Sequence, residues 1–138
     1  MRDLKSWLDD YAKSHQNPTN KKIHMICVPL IMYSILGVLV AISSWAALII
    51  AILGLLFYYS LSLRLGFYMM ILTAIMLGII GWLPFRLNLI LSIAIFIISW
   101  IFQFIGHKIE GKKPSFFKDL LFLLIGPLWV VNRLVSNK

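Results

Sequence analysis

Four apolar runs, each close to the length a helix needs to cross a bilayer, follow one another almost without interruption and leave this chain few possible architectures. They extend approximately from Met25 to Ser43, Trp45 to Leu63, Leu65 to Leu83 and Leu87 to Gly106, divided by Ser44, Arg64 and Pro84-Phe85-Arg86. Links this short force consecutive helices to be antiparallel neighbours, so an up-down-up-down bundle of four is the simplest solution. Nothing alternates with a period of two, and backbone groups in lipid must be satisfied internally, which excludes a β-barrel. The 138 residues are 61% hydrophobic and only 13% charged, so a soluble globular enzyme and a disordered chain are excluded. Cys27, the single cysteine, excludes a disulfide scaffold and reads as an inert core thiol.

Charge gives the orientation. The net charge of +8 could suggest nucleic acid, but lysine and arginine are confined to the gaps between apolar runs, as in a membrane protein, and no nucleic-acid partner is expected. Arg2, Lys5, Lys13, Lys21 and Lys22 precede span one, Arg64 follows span two, and Lys108, Lys112, Lys113 and Lys118 follow span four. The opposite side holds only Arg86, so the shared side is expected to be cytoplasmic. The host membrane would be the inner membrane in a bacterium or the endoplasmic reticulum in a eukaryote.

The expectation is one all-α integral membrane domain. Residues 1–20 form a cytoplasmic segment whose Leu4, Trp7, Leu8 and Tyr11 recur at amphipathic helical spacing, with His15 continuing that face. Asp3, Asp9 and Asp10 there are foreign to a cleaved signal. Pro18 ends this helix, and Asn20 suits the N-cap of span one. Residues 21–106 form the bundle, and residues 107–138 a cytoplasmic loop and a last apolar stretch, Leu120 to Val131. That stretch is too short to span and contains Gly126-Pro127, so a re-entrant or interfacial helix is expected.

The chemistry-bearing residues gather at one end. All three histidines, His15, His24 and His107, map to the cytoplasmic side, and Trp100, Gln103 and Glu110 share the helix face of His107 at i−7, i−4 and i+3. The helix outlives the membrane by about a turn before Gly111 and Pro114 stop it. Glu110 near a helix C-terminus wants a cation, because the dipole disfavours an anion there. This points to a metal site built from His15, His24 and His107, with Glu110 as fourth ligand or as a partner behind the ligands; imidazoles with a carboxylate suit iron(II) or zinc. The plainer reading is histidines that bond lipid headgroups, with Trp7, Tyr11 and Trp100 as interfacial or core aromatics. No carboxylate lies within a span, which argues against a proton-coupled transporter. Gly37, Gly54, Gly66, Gly78 and Gly81 read as permitting close helix contact, and Pro29 as a kink below His24.

Two linked blocks carry a resemblance. Tyr11-x3-His15-x-Asn17-x2-Asn20-x3-His24-x4-Pro29, with Gln103-x2-Gly106-His107-x2-Glu110-x3-Pro114 and the later Gly126-Pro127, resembles the Mpo1-like family from about Asp3 to Asn132. The chain departs from the family pattern at Cys27-Val28, where a glycine precedes the proline, and at Asn132, where a glutamate is common. The resemblance implies an iron(II)-dependent dioxygenase that shortens 2-hydroxy fatty acids by one carbon. It implies His15, His24 and His107 as ligands, with zinc a possible substitute in purified protein. Three ligands on a six-coordinate ion leave room for a chelating 2-hydroxy carboxylate and for dioxygen. Glu110 and Gln103 then serve catalysis, Glu110 by orienting His107 or accepting a proton. Asn17 and Asn20 offer polar contacts, and Lys21, Lys22 and Lys108 could receive the substrate carboxylate while its acyl chain lies between spans one and four. The partners expected are this fatty acid, dioxygen and membrane lipid; the oligomeric state is open. The competing class is a non-catalytic lipid-binding or scaffold protein using the same cluster, and a haem protein with two axial histidines is a third.

Overall fold

A computed structural model describes residues 3–13, 15–111 and 116–136, the side chains of 116–122 and 136 excepted. Pro114 and the charges at Arg2, Lys112, Lys113 and Lys138 lie outside the described residues, as does the side chain of Lys118. The described residues form six helices and no strand: α1 (Leu4–Lys13), α2 (Pro18–Ile42), α3 (Ser44–Leu61), α4 (Leu63–Trp82), α5 (Phe85–Glu110) and α6 (Phe116–Ser136). Helices α2 to α5 are long and apolar enough to cross a membrane, and this is an all-α membrane protein. Its outer faces agree: Ile49, Leu53 and Leu56 on α3 are exposed, as are Ile90, Ile97 and Ile101 on α5. Apolar surface on that scale needs lipid.

Two of the boundaries sit where small polar residues do two jobs at once. Ser43 and Ser62 are single extended residues between helices, not Ser44 and Arg64 as expected. Each closes the helix before it, Ser43 N–H donating to the Leu39 carbonyl at 2.8 Å and Ser62 N–H to the Tyr58 carbonyl at 3.0 Å. Each opens the next helix, its hydroxyl accepting from Ala46 N–H at 3.3 Å or Leu65 N–H at 3.2 Å. Arg64 is therefore helical; it donates to the Val135 carbonyl of α6 at 3.4 Å and lies over the Tyr68 ring. The start of α2 also differs from expectation: Asn17, not Asn20, is the N-cap, its side chain accepting from Thr19 and Asn20 N–H, with Pro18 in the first turn. The helix thus begins earlier and takes both Asn20 and His24 into its first two turns.

Of the consecutive spans, α2 packs on α3 and α3 on α4, but α4 and α5 make no extensive contact among the described residues, so the expected succession of neighbours stops there and α5 packs on α2 instead. Tyr58 packs with Leu65 and Met69, while Ala51 packs with Met76 and Ile80, across the α3–α4 link. The most extensive pair is α2 with α5. Far from the histidines, Asn88 Nδ2 donates to the Gly37 carbonyl at 3.0 Å, and Ser92 donates to Asn88 Oδ1 at 3.1 Å. The first of these joins α5 to α2, and an interhelical bond in lipid contributes roughly 0.6 to 2 kcal/mol, while the second, within α5, holds the Asn88 amide in place. Gly37 and Gly66 do permit close contact, against Ser92 and Tyr59, whereas a Cβ on Gly78 or Gly81 would touch nothing within 4 Å.

The last apolar stretch is a continuous helix through Gly126-Pro127, packed on α1, α2 and α4. Proline removes one backbone donor and crowds the preceding turn. Beside it, the Tyr58 hydroxyl donates to the Leu124 carbonyl at 2.6 Å. Gly126 lets α6 press onto Val28 and Tyr11, and Ile125, Trp129 and Val130 complete a core with those two residues.

A buried imidazole cluster as candidate metal centre

Three elements converge at one end of the α2–α5 pair. His15 follows α1, His24 lies on the second turn of α2, and His107 on the last turn of α5. Their ring centroids stand 4.1 Å apart for His15 and His24, 5.7 Å for His24 and His107, and 6.4 Å for His15 and His107. His15 is 2% exposed and His24 1%, so neither reaches lipid headgroups.

The ring orientations follow from local hydrogen bonds. His15 Nδ1 is 2.7 Å from the Tyr11 carbonyl, and His24 Nδ1 is 3.0 Å from the Asn20 carbonyl, each four residues back. A carbonyl only accepts, so each Nδ1 carries the hydrogen and each Nε2 is left with a lone pair. Histidines that ligate metals are anchored in this way. Tyr11 stacks on His15 at 4.1 Å with planes 9° apart, and Trp129 of α6 closes on both rings.

Glu110 acts on the backbone between α1 and α2. Its carboxylate accepts from Asn17 N–H at 3.0 Å, Gln16 N–H at 3.3 Å and Asn20 Nδ2 at 3.0 Å. The anion thus sits at the positive end of α2, which offsets its unfavourable place at the end of α5. It fastens the strap just after His15 rather than bonding His107. We expect Glu110→Gln to weaken metal retention about 10-fold to 100-fold, the range for partners behind a ligand, with little change in secondary structure. Elemental analysis beside circular dichroism checks this, and wild-type metal content in that variant would remove the positioning role.

A cavity of about 30 Å³ lies among the rings, large enough for an ion or one to two water-sized molecules. Val28, Ile31, Trp100, Gln103 and Leu123 complete its walls. Gln103 Oε1 and Trp100 Nε1 are buried and find no partner among the described residues. Two orphaned polar atoms in so small a space imply a polar occupant, since a buried unbonded group costs about 1 to 3 kcal/mol. In residue type, imidazoles are donors that suit zinc or iron(II). Two imidazoles sharing an ion at about 2.1 Å per nitrogen have centroids about 5 Å apart; the observed spacings bracket that value, with His107 outermost. Among the described residues, no group of three or more His, Cys, Asp or Glu side chains is arranged so that it could hold a metal ion.

Other expected residues fall elsewhere. Asn17 and Asn20 are engaged in the cap and with Glu110. Lys21 and Lys22 line a separate surface groove with Arg133, and Lys108 is exposed; none of the three lines the cavity. Trp100 and Tyr11 are more than interfacial or core aromatics: both line the cavity, as their places seven residues before His107 and four before His15 allow.

The fold and the cluster define a helical membrane protein with buried, lone-pair-bearing imidazoles at one end of the bundle. Residues 1–61 and 62–138 match the family described as 2-hydroxy-palmitic acid dioxygenase Mpo1-like, and the chain belongs to that family. Among curated proteins it is similar to the 2-hydroxy-palmitic acid dioxygenase MPO1 of Saccharomyces cerevisiae, 30% identical over 139 residues, covering 95% of this chain and 79% of the yeast protein. No solved structure gives a significant match.

Proposed function

We propose that this protein is an iron(II)-dependent dioxygenase that shortens 2-hydroxy fatty acids by one carbon, its metal held by His15, His24 and His107 at the cytoplasmic membrane face. The observation that carries the reading is the gathering of three imidazoles from three separate elements around one small cavity, two of them with Nδ1 anchored to a backbone carbonyl. The activity named for the yeast relative supports the substrate class. Iron(II), when bound, supplies the redox chemistry that dioxygen needs to react with an organic acid.

The remaining work falls to side chains. Gln103 Oε1 accepts a hydrogen bond from the 2-hydroxyl of the substrate, and Trp100 Nε1 donates one to its carboxylate, so both orphaned atoms gain partners when the head group reaches the mouth of the cavity. Val28, Ile31 and Leu123 wall the cavity with apolar surface and keep bulk water out. Glu110 holds the strap that carries His15. Lys21 and Lys22, outside the cavity, act through the interfacial field that attracts an acidic lipid to this end of the bundle.

The test is incubation of iron-loaded protein with 2-hydroxypalmitate under oxygen, with mass spectrometry for the acid one carbon shorter. Protein purified without chelator is expected to carry iron or zinc. Less than about a tenth of an equivalent, no gain on reconstitution and no shortened acid would replace the enzyme by a lipid-binding membrane protein.

A further inference from the structure

Two apolar cavities lie deeper than the imidazoles. One of about 280 Å³ is on the α2–α5 side, between Ile35, Val38, Leu39, Ile93 and Phe96. The other, of about 260 Å³, lies between α2, α3, α4 and α6, with Met32, Leu36, Ala51, Gly54, Tyr58 and Leu124 in its walls. Only the second shares a wall residue with the imidazole cavity: Leu123 lines both. Along α2 their walls follow one another, Val28 and Ile31 lining the first and Met32 and Leu36 the second.

Its depth is that of one leaflet. Ile50 lies eleven residues from the end of α3 at Leu61, about 16 Å at the helical rise. Half of a hydrocarbon core of about 30 Å is the depth that a long lipid chain fills. The Tyr58 hydroxyl is already committed to the Leu124 carbonyl, so that lining group asks nothing of an occupant. A Cβ on Gly54 would meet only Leu124 Cδ1, at 3.9 Å, so the cavity floor is open there.

We propose that the acyl chain of the substrate occupies this α2–α3–α4–α6 cavity, with Leu123 as the partition between head and tail and Gly54 and Ala51 limiting the chain length. The proposal rests on the 2-hydroxy fatty acid reading given above. It moves the chain away from the α2–α5 groove expected from the sequence, because that groove shares no wall residue with the imidazole cavity.

The experiment has two arms on the full-length protein in lipid. In the first, 2-hydroxypalmitate carrying a photoreactive diazirine at its chain end is irradiated with the wild type, and the adducts are mapped. Label on Ile50 to Leu55 of α3 is expected; label on Ile93 to Phe96 of α5, or only diffuse labelling of lipid-exposed residues, overturns the proposal. In the second, Gly54→Leu is compared with wild type on 2-hydroxypalmitate and 2-hydroxyoctanoate. A leucine there displaces about three methylenes, so the turnover ratio of long to short acid should fall about 50-fold. An unchanged ratio in an active variant overturns the proposal. A wild type that shortens neither acid removes the enzymatic reading instead, and the labelling arm still decides where the chain lies.

Discussion

Replacing His24 by alanine is expected to leave a folded membrane protein that retains no metal and shortens no 2-hydroxy fatty acid. The ring is 1% exposed, lies 4.1 Å from His15 and 5.7 Å from His107, and is aimed by the Asn20 carbonyl. Removing a ligand must cost more than the 10-fold to 100-fold seen when only a partner behind a ligand is lost. His15→Ala and His107→Ala should behave alike, because two imidazoles do not make the three-ligand site proposed here. Metal content of protein purified without chelator, read beside circular dichroism, checks all three. Unchanged metal in His15→Ala would remove that residue from the site, and retention in all three variants would remove the site itself.

Gly106→Val is expected to disperse the same cluster without replacing a proposed ligand. A Cβ at position 106 would fall onto Asn20 Oδ1 and come within 3.3 Å of His24 Cε1, and α5 has no extensive partner other than α2 among the described residues. The helices must separate where Asn20 bonds Glu110 and where His24 faces His107. Overpacking of this kind costs about 1 to 3 kcal/mol, and a displacement of about 1 Å at the reacting groups costs about 100-fold in rate. Gly78→Val provides the contrast, since nothing lies within 4 Å of that position. Thermal unfolding in detergent and turnover together test the pair; a Gly106→Val protein as stable and active as Gly78→Val would show that the helices tolerate separation there.

The spacing of Gln103, Gly106, His107 and Glu110 fixes one helical face, and the structure turns that whole face toward α2. The role of Glu110 was less legible. A carboxylate three residues after a histidine suggests a partnership within the helix, but here it reaches a strap 94 residues earlier in the chain. The nearby lysines misled for a related reason. Charge count reports the side of the membrane, whereas a helix surface decides which charges face a cavity, and Lys21 and Lys22 face away. Helix boundaries slipped by one or two residues where the capping oxygen belonged to Ser43 and Ser62 instead of the residues after them.

The sequence by itself determined the spans, their antiparallel order and the end of the bundle that holds the chemistry, because hydrophobic length and helical period act locally and need no partner. Only the tertiary structure decided that α5 packs on α2, that α6 closes over both Tyr11 and Val28, and that Leu123 stands between a polar and an apolar cavity. Those outcomes depend on which small residues let backbones approach and which carbonyls aim the rings, and such pairings arise between helices rather than along them.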